Sequence, residues 1–146
     1  MSGQAAYPAF AGIEERIDAI AMDGSTAPAR AAAELLAIGE RVLEAWVRAR
    51  GEAPTDARKE GFRLLALPRQ GARGEPSFNA CRETCRELVY HYNLIAFEPD
   101  HPDTGHHLTL AAMIARHLML FVGGKLEVAG LGEFCCSARP LRAAGH

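Results

Sequence analysis

Hydrophobic positions recur at helical spacing along most of this 146-residue chain. The clearest case is the segment 77–97, in which apolar side chains alternate in steps of three and four: Phe78, Cys81, Cys85, Leu88, Tyr92 and Ile95. That spacing places them on one side of a helix, facing a core. Ser77 can cap the first turn, and no proline or glycine interrupts the rest. The segment is therefore predicted to be the central, amphipathic helix of a small helical domain.

Two helices are predicted before it. A short one carries Ile13, Ile17 and Ile20 on one side and ends before Asp23-Gly24. A longer one opens at Pro28, a residue that a first turn tolerates, and runs to about Arg50, where Gly51 is well placed to end it. Its apolar stripe is Leu35, Ile38, Val42 and Trp46. On its outer side, Glu44 and Arg48 have the favourable order for an ion pair one turn apart.

A third helix is predicted over 57–67, because Pro54-Thr55-Asp56 is a start signal and Pro68 must end or bend the helix. Gly61 weakens this helix by roughly 1 kcal/mol relative to alanine. The glycine-containing stretch 68–76 is predicted to be a loop that leads into the central helix.

The last clear helix is predicted over 106–122, capped by Asp103 or Thr104 and ended by Gly123-Gly124. Its sequence, HHLTLAAMIARHLMLFV, is apolar nearly all round, with only Thr109 and Arg116 defining a narrow polar strip. A helix with so little polar surface needs cover from neighbouring helices or from a second subunit. We therefore expect a homo-oligomer whose interface includes residues 105–122. The alternative is that the tail folds back and covers the helix through Leu126, Val128, Leu131 and Phe134.

The fold class expected is all-α: an irregular bundle of about five helices in a single domain spanning 1–146. Residues 1–11 are expected to form an N-terminal arm. The tail 123–146 is compatible with a short hairpin or with a last broken helix, and we favour the helix because two isolated strands are marginal without a sheet. The core is predicted to contain Leu35, Val42, Trp46, Leu88, Tyr92, Leu110, Ile114 and Leu118.

Charge and composition narrow the function classes. The formal net charge of −2 argues against a general nucleic-acid-binding protein. Residues 48–86 carry nine Lys/Arg against five Asp/Glu, a local excess that is most often a solvated face. The N-terminus shows no signal-peptide pattern, and the longest apolar run, broken by Arg116 and His117, is predicted to be too short and too polar to cross a membrane. Four cysteines do not form a secreted disulfide pattern, so a reducing cytoplasm is expected.

Cys81 and Cys85 are the first chemical candidates. They lie one helical turn apart, so two thiolates at this spacing can hold half of a zinc or copper(I) site or share an oxidation event. Both fall on the apolar stripe, however, and free cysteine is among the residues most often buried. Structural packing is the favoured interpretation, although Cys135-Cys136 would supply two further thiols.

Histidines form the second group of candidates. The sequence DHPDTGHH brings His101, Asp103, His106 and His107 together, and imidazole with carboxylate suits zinc, iron or manganese. The simpler alternative, without a metal site, is that Asp103 caps the helix and the histidines are solvated. His117, on the apolar helix, is expected more often as a core residue than as a haem or metal ligand. A ladder of Glu83, Glu87 and His91 is expected on the solvated face of the central helix.

Arg69 and Arg73 are candidates for anion binding. They flank Gly71 just before the central helix, where guanidinium groups beside a helix N-terminus can hold phosphate or carboxylate. The segment matches neither a P-loop nor a dinucleotide-binding fingerprint, and a surface connector is the simpler interpretation.

These patterns favour a non-enzymatic cytoplasmic protein that self-associates or binds a protein partner, since no catalytic signature is present. The first alternative is a metal- or thiol-dependent helical protein using the cysteine and histidine groups, with a transition metal as its cofactor. The second is a small-anion sensor built on Arg69 and Arg73.

Overall fold

The computed structural model describes residues 10–24, 26–72 and 79–129, and in this part of the chain the fold is all-α. Five helices follow one another: α1 (Ile13–Met22), α2 (Pro28–Ala49), α3 (Arg63–Ala72), α4 (Asn79–Phe97) and α5 (Thr104–Ala129). Helix α2 packs against α3, α4 and α5, while α1 lies mainly against α5. The all-α prediction is confirmed.

Helices α1 and α2 agree with the patterns that predict them. Ile13, Ile17 and Ile20 are buried, and α1 ends before Asp23. Pro28 occupies the first turn of α2, and Gly51, with φ of 85°, adopts the left-handed conformation that lets the chain leave the helix. Glu44 and Arg48 lie 3.6 Å apart, as expected.

Helix α3 begins six residues later than predicted. Glu60 and Gly61 have positive φ values of 56° and 88°, which a right-handed helix does not accommodate. Lys59 and Phe62 instead exchange two backbone hydrogen bonds of 3.0 Å and close a tight turn. Pro68 does not end the helix, which continues to Ala72. The turn at 59–62, rather than the start signal at 54–56, therefore decides where α3 begins.

The predicted stripe of α4 faces the core. Cys81, Cys85, Leu88 and Ile95 are buried, whereas Tyr92 is only partly buried, with its ring edge-on to Phe62 at 5.7 Å. The expected first turn at Ser77 and Phe78 lies outside the described residues.

Helix α5 is longer than predicted, because Gly123 and Gly124 do not terminate it. A Cβ at Gly123 would lie 3.2 Å from Cδ2 of Phe10, so the missing side chain gives the buried Phe10 ring room against the helix. Glycine weakens a helix by about 1 kcal/mol relative to alanine, and packing against Phe10 and the bundle outweighs this. The helical option for the tail holds as far as Ala129, and residues 130–146 lie outside the described part.

The centre of the core is the crossing of α2 with α3, α4 and α5. Among the predicted core residues, Leu35, Val42, Trp46, Leu88 and Leu118 are each no more than 1% exposed. Tyr92 and Leu110 are only partly buried and lie outside the core, so the prediction was wrong for these two, whereas Ile114 is partly buried and packs against the core. On α5 the reason is rotational: an almost uniformly apolar helix does not reveal from its sequence which side faces inward.

By length and composition alone, residues Thr104–Leu126 are long and apolar enough to cross a membrane, with a mean hydropathy of 1.3. Buried helices of soluble proteins pass the same criterion, and 39% of this window is buried inside the bundle. The prediction that this segment is too short and too polar to cross a membrane was therefore wrong by length and composition. That the protein does not associate with a membrane stays a prediction.

Candidate functional site

The most specific polar contact between two helices joins two histidines. His91 on α4 and His107 on α5 lie with their Nδ1 atoms 3.0 Å apart and their ring centroids 5.1 Å apart. This distance is that of an N–H···N hydrogen bond, in which one ring donates and the other accepts. We call these two residues the histidine pair. It exists because the short connection 98–103 turns α5 back along α4, which brings the last turns of α4 beside the first turn of α5.

The histidine pair is half-buried at the surface of the α4–α5 contact. Partial burial, with the neighbouring His107, lowers the pKa of His91, and Glu87 one turn earlier acts in the opposite direction. His91 therefore favours neutral imidazole, the form that can share a hydrogen bond or bind a metal.

The other histidine candidates do not assemble as one cluster. His101 is exposed, and its Nδ1 accepts a hydrogen bond of 2.9 Å from the backbone N–H of Asp103, which orders the turn before α5. His106 is exposed, with its ring centroid 6.0 Å from that of His107. Within residues 10–24, 26–72 and 79–129, no three His, Cys, Asp or Glu side chains converge to hold a metal ion.

His117 is exposed and stacks on Phe121 at a centroid distance of 6.2 Å, so the expectation that it lies in the core was wrong. Arg116 also departs from the predicted solvent strip, because its guanidinium pairs with Glu14 and Asp18 and joins α5 to α1. The predicted polar strip of α5 thus divides: Thr109 faces solvent, and Arg116 turns towards α1.

The cysteine pair is built into the core. Cys81 and Cys85 are buried thiols with no disulfide between them, as predicted. Burial raises the pKa of Cys85 to about 12, so its thiolate, the form that attacks electrophiles and binds metals, is strongly disfavoured near neutral pH. This supports the packing interpretation of both residues. Cys135 and Cys136 lie outside the described residues.

Arg69 contributes to a surface cleft between α3 and the segment 55–59. The cleft has a volume of about 290 Å³ and is lined by Thr55, Ala57, Arg58, Lys59, Ala66, Arg69 and Gln70. We call it the cationic cleft, because three lining residues are cationic and none is a carboxylate. The second predicted residue, Arg73, lies outside the described residues.

Hydrogen bonds from one side chain hold the wall of the cationic cleft. Gln70 Oε1 accepts from the Thr55 backbone N–H at 2.8 Å, and its Nε2 donates to the Ala53 carbonyl at 2.8 Å. Lys59 pairs with Glu60 at 3.3 Å, whereas Arg69 makes no hydrogen bond or ion pair with any described residue. The Arg69 guanidinium is therefore the group most available to an incoming anion.

The third feature is the side of α5 that none of the other four described helices covers. Its exposed residues recur at helical spacing: Thr109, Met113, His117, Leu120 and Gly124. Met113 is 60% exposed and Leu120 is 56% exposed. Leu110, Ile114 and Phe121 are partly buried along the border of the same surface. We call these eight residues the outer face of α5.

The two halves of the histidine pair stood in separate predicted groups, His91 in the solvated ladder and His107 in the cluster before α5. The pattern alone contained one usable signal, namely that a short connection between two helices makes them antiparallel neighbours. Arg58 and Lys59 were missed as neighbours of Arg69, because they were assigned to a helix that begins only at Arg63.

Comparison with protein-family models, with characterised proteins and with solved structures found no match for this chain.

Proposed function

We propose that this protein is a non-enzymatic helical module that self-associates through the outer face of α5. The observation that carries the proposal is the exposure of Met113 and Leu120, two large apolar side chains two helical turns apart on one helix. Leu110, Ile114 and Phe121 continue the apolar surface between and beside them. Contiguous exposed apolar surface of this kind is typical of protein–protein contacts.

Charge favours a second copy of the chain as the partner. The exposed residues of the outer face include no carboxylate, lysine or arginine. Lys125, at its C-terminal border, lies 5.9 Å from the Phe121 ring centroid. Two copies related by a twofold axis would therefore bring together the same apolar patch without opposing like charges at its centre.

The interface expected over 105–122 includes positions that other helices of the same chain cover. Helices α1, α2 and α4 cover most of the circumference of α5 within one chain. Among the described residues the outer face is the apolar side of α5 left for a partner, so the proposed interface comprises the exposed positions of 105–122 and extends to Gly124.

Sedimentation velocity at micromolar concentration tests the proposal on the full chain. The wild type is expected to sediment as a dimer, and Leu120→Glu is expected to yield a monomer because it would bury a carboxylate against apolar surface. Met22→Glu and Phe97→Glu are matched controls, since these apolar residues are 84% and 85% exposed elsewhere in the bundle. A monomeric wild type, or a dimer that Leu120→Glu leaves intact, would refute self-association through α5.

The cationic cleft supports a second candidate function, the binding of a small phosphate- or carboxylate-bearing ligand. Arg58, Lys59 and Arg69 present positive charge to a concave surface, and guanidinium groups match such anions in bidentate geometry. The volume of about 290 Å³ lies near the lower end of the range for small-molecule sites.

Inorganic phosphate is the probe for this second function. A ligand that binds only the folded chain raises its melting temperature, so phosphate is expected to stabilise the wild type more than sodium chloride of equal ionic strength. Arg69→Gln is expected to abolish that difference, while Arg82→Gln, an exposed arginine on α4, should retain it. Equal stabilisation by phosphate and chloride would eliminate the cleft as a specific anion site.

A further inference from the structure

The distance between the two nitrogens of the histidine pair allows them to bind one ion. At metal–nitrogen bond lengths of about 2.0–2.1 Å, two nitrogens 3.0 Å apart subtend roughly 90–97° at the metal. A tetrahedral angle would require the nitrogens to be about 3.3–3.4 Å apart at the same bond lengths. The observed distance thus matches the right angle of square-planar and octahedral coordination.

We propose that His91 and His107 together bind one divalent transition-metal ion through their Nδ1 atoms, in the tetragonal geometry that Cu(II) and Ni(II) prefer. Imidazole is a good ligand for both ions, and near-right-angle nitrogen coordination is characteristic of them. The two ligands come from different helices, so the ion would join the end of α4 to the start of α5. This proposal does not depend on self-association or on the cationic cleft.

The protonation of the two imidazoles allows a metal ion to replace the hydrogen bond between them. In the hydrogen-bonded pair, one Nδ1 carries a proton and the other accepts it. When an ion binds, the donor ring changes tautomer, so that its proton resides on Nε2 and both Nδ1 lone pairs face the metal. The rings must also rotate slightly, because the hydrogen bond directs the nitrogens at one another and coordination directs both at a common point.

Water can supply the ligands at the remaining coordination positions of the ion. Both histidines are only half-buried, so water has access to the open positions. Glu87 lies one turn before His91 on α4, and its negative charge acts on that imidazole. A carboxylate at that place offsets part of the ion's charge.

The buried cysteines and the exposed histidines are not needed. Cys81 and Cys85 lie on the core side of α4, on the stripe that excludes solvent. His101 uses its Nδ1 in the turn before α5, and His117 is stacked on Phe121. His101 and His117 are consequently suitable matched controls for histidine replacement.

Titration of the full-length protein with Cu(II) and with Ni(II), each in competition with a chromophoric chelator, tests the site. The Cu(II) experiment uses a Cys135→Ser, Cys136→Ser background so that these thiols neither reduce nor capture the ion. One ion per chain is expected, with a tetragonal electron paramagnetic resonance signal that shows hyperfine coupling to nitrogen. His91→Gln and His107→Gln should each weaken binding about tenfold or more, since even outer-shell changes cost that much, and His101→Gln and His117→Gln should not.

The glutamine variants keep a polar side chain on each helix, and circular dichroism establishes that each still folds. Glu87→Gln should weaken binding less than either change to the pair. The proposal is overturned if His91→Gln and His107→Gln bind both ions as tightly as the controls do. A Cu(II) signal without nitrogen coupling would overturn it as well.

Discussion

Gly39 offers the sharpest test of how closely the helices approach. It is buried in the middle of α2, and a Cβ placed on it would lie 3.1 Å from Cδ2 of Leu88 and 3.2 Å from Cδ1 of Leu64. Cδ2 of Leu118 would follow at 3.6 Å. Side chains from α3, α4 and α5 thus converge on a single missing methyl group.

Two opposing effects determine the stability of Gly39→Ala. Alanine improves helix propensity by about 1 kcal/mol over glycine. Forcing a methyl group into a packed core costs about 1–3 kcal/mol, and contacts near 3.1 Å require Leu88 and Leu64 to shift by a few tenths of an ångström. The net expectation is a loss of about 0–2 kcal/mol in the free energy of unfolding.

A double-mutant cycle with Leu88→Ala isolates the contact. Leu88 is 1% exposed, so its truncation alone should cost about 2–5 kcal/mol. In that background the nearest obstacle to the new methyl group is absent, and Gly39→Ala should become neutral or stabilising by up to about 1 kcal/mol. The coupling energy between the two sites is expected to be roughly 1–2 kcal/mol.

Urea unfolding followed by circular dichroism and by the fluorescence of Trp46, the single tryptophan, measures all four proteins at one concentration. Coincident transitions would support two-state analysis. If Gly39→Ala stabilised the wild type by its full propensity gain and the two changes were additive, the close approach of α2 and α4 would be refuted.

Four further predictions concern three residues: Cys85, Glu60 and Arg116. The Cys85 thiol, with its pKa raised to about 12, should react with a native-state thiol reagent only as fast as the chain opens, and fast stoichiometric labelling would contradict its burial. The unfolded thiol ionises at a lower pH than the folded one, so Cys85 should lower the free energy of unfolding as pH rises from the ordinary pKa of the thiol towards 12. The free energy of unfolding of Cys85→Ala should lack this pH dependence. The hydrogen bond from Arg86 holds the pKa of Glu60 at about 2, below its unfolded value, so this carboxylate stabilises the fold above its unfolded pKa and loses its effect as pH falls towards 2. Glu60→Gln should therefore differ from the wild type at neutral pH and converge with it in acid, and a difference that is constant with pH would contradict the ion pair. Arg116→Met should weaken the attachment of α1 to α5, because it removes the ion pairs with Glu14 and Asp18. Amide hydrogen exchange in residues 13–22 should become faster, with little change in α4. Unaltered exchange in α1 would show that these ion pairs do not hold the helix in place.

The sequence by itself predicted most of the helices, because the information that specifies them is local. In α1, α2 and α4 the apolar residues return every three or four positions, and each stripe faces the core as expected. Pro28 and Gly51 mark the ends of α2 because their backbone preferences act within one turn. The same local information predicted that Cys81 and Cys85 would be buried.

Where local signals competed, tertiary packing decided the outcome. Gly123 has a weak helical preference, yet α5 passes through it because Phe10 packs into the space that a side chain would fill. In the segment before α3, the left-handed turn at Gly61 prevailed over a start signal that would have suited a helix from residue 57.

The candidate sites needed the fold most, because each joins residues that are distant in sequence. Arg69 meets Arg58 and Lys59 only because the turn at 59–62 folds that segment back along α3. His91 meets His107 only through the antiparallel packing of α4 and α5. The outer face of α5 is the side that α1, α2 and α4 do not contact. A helix that is apolar on almost every side carries no periodic signal for its own rotation, so its orientation is set by the neighbours that pack against it.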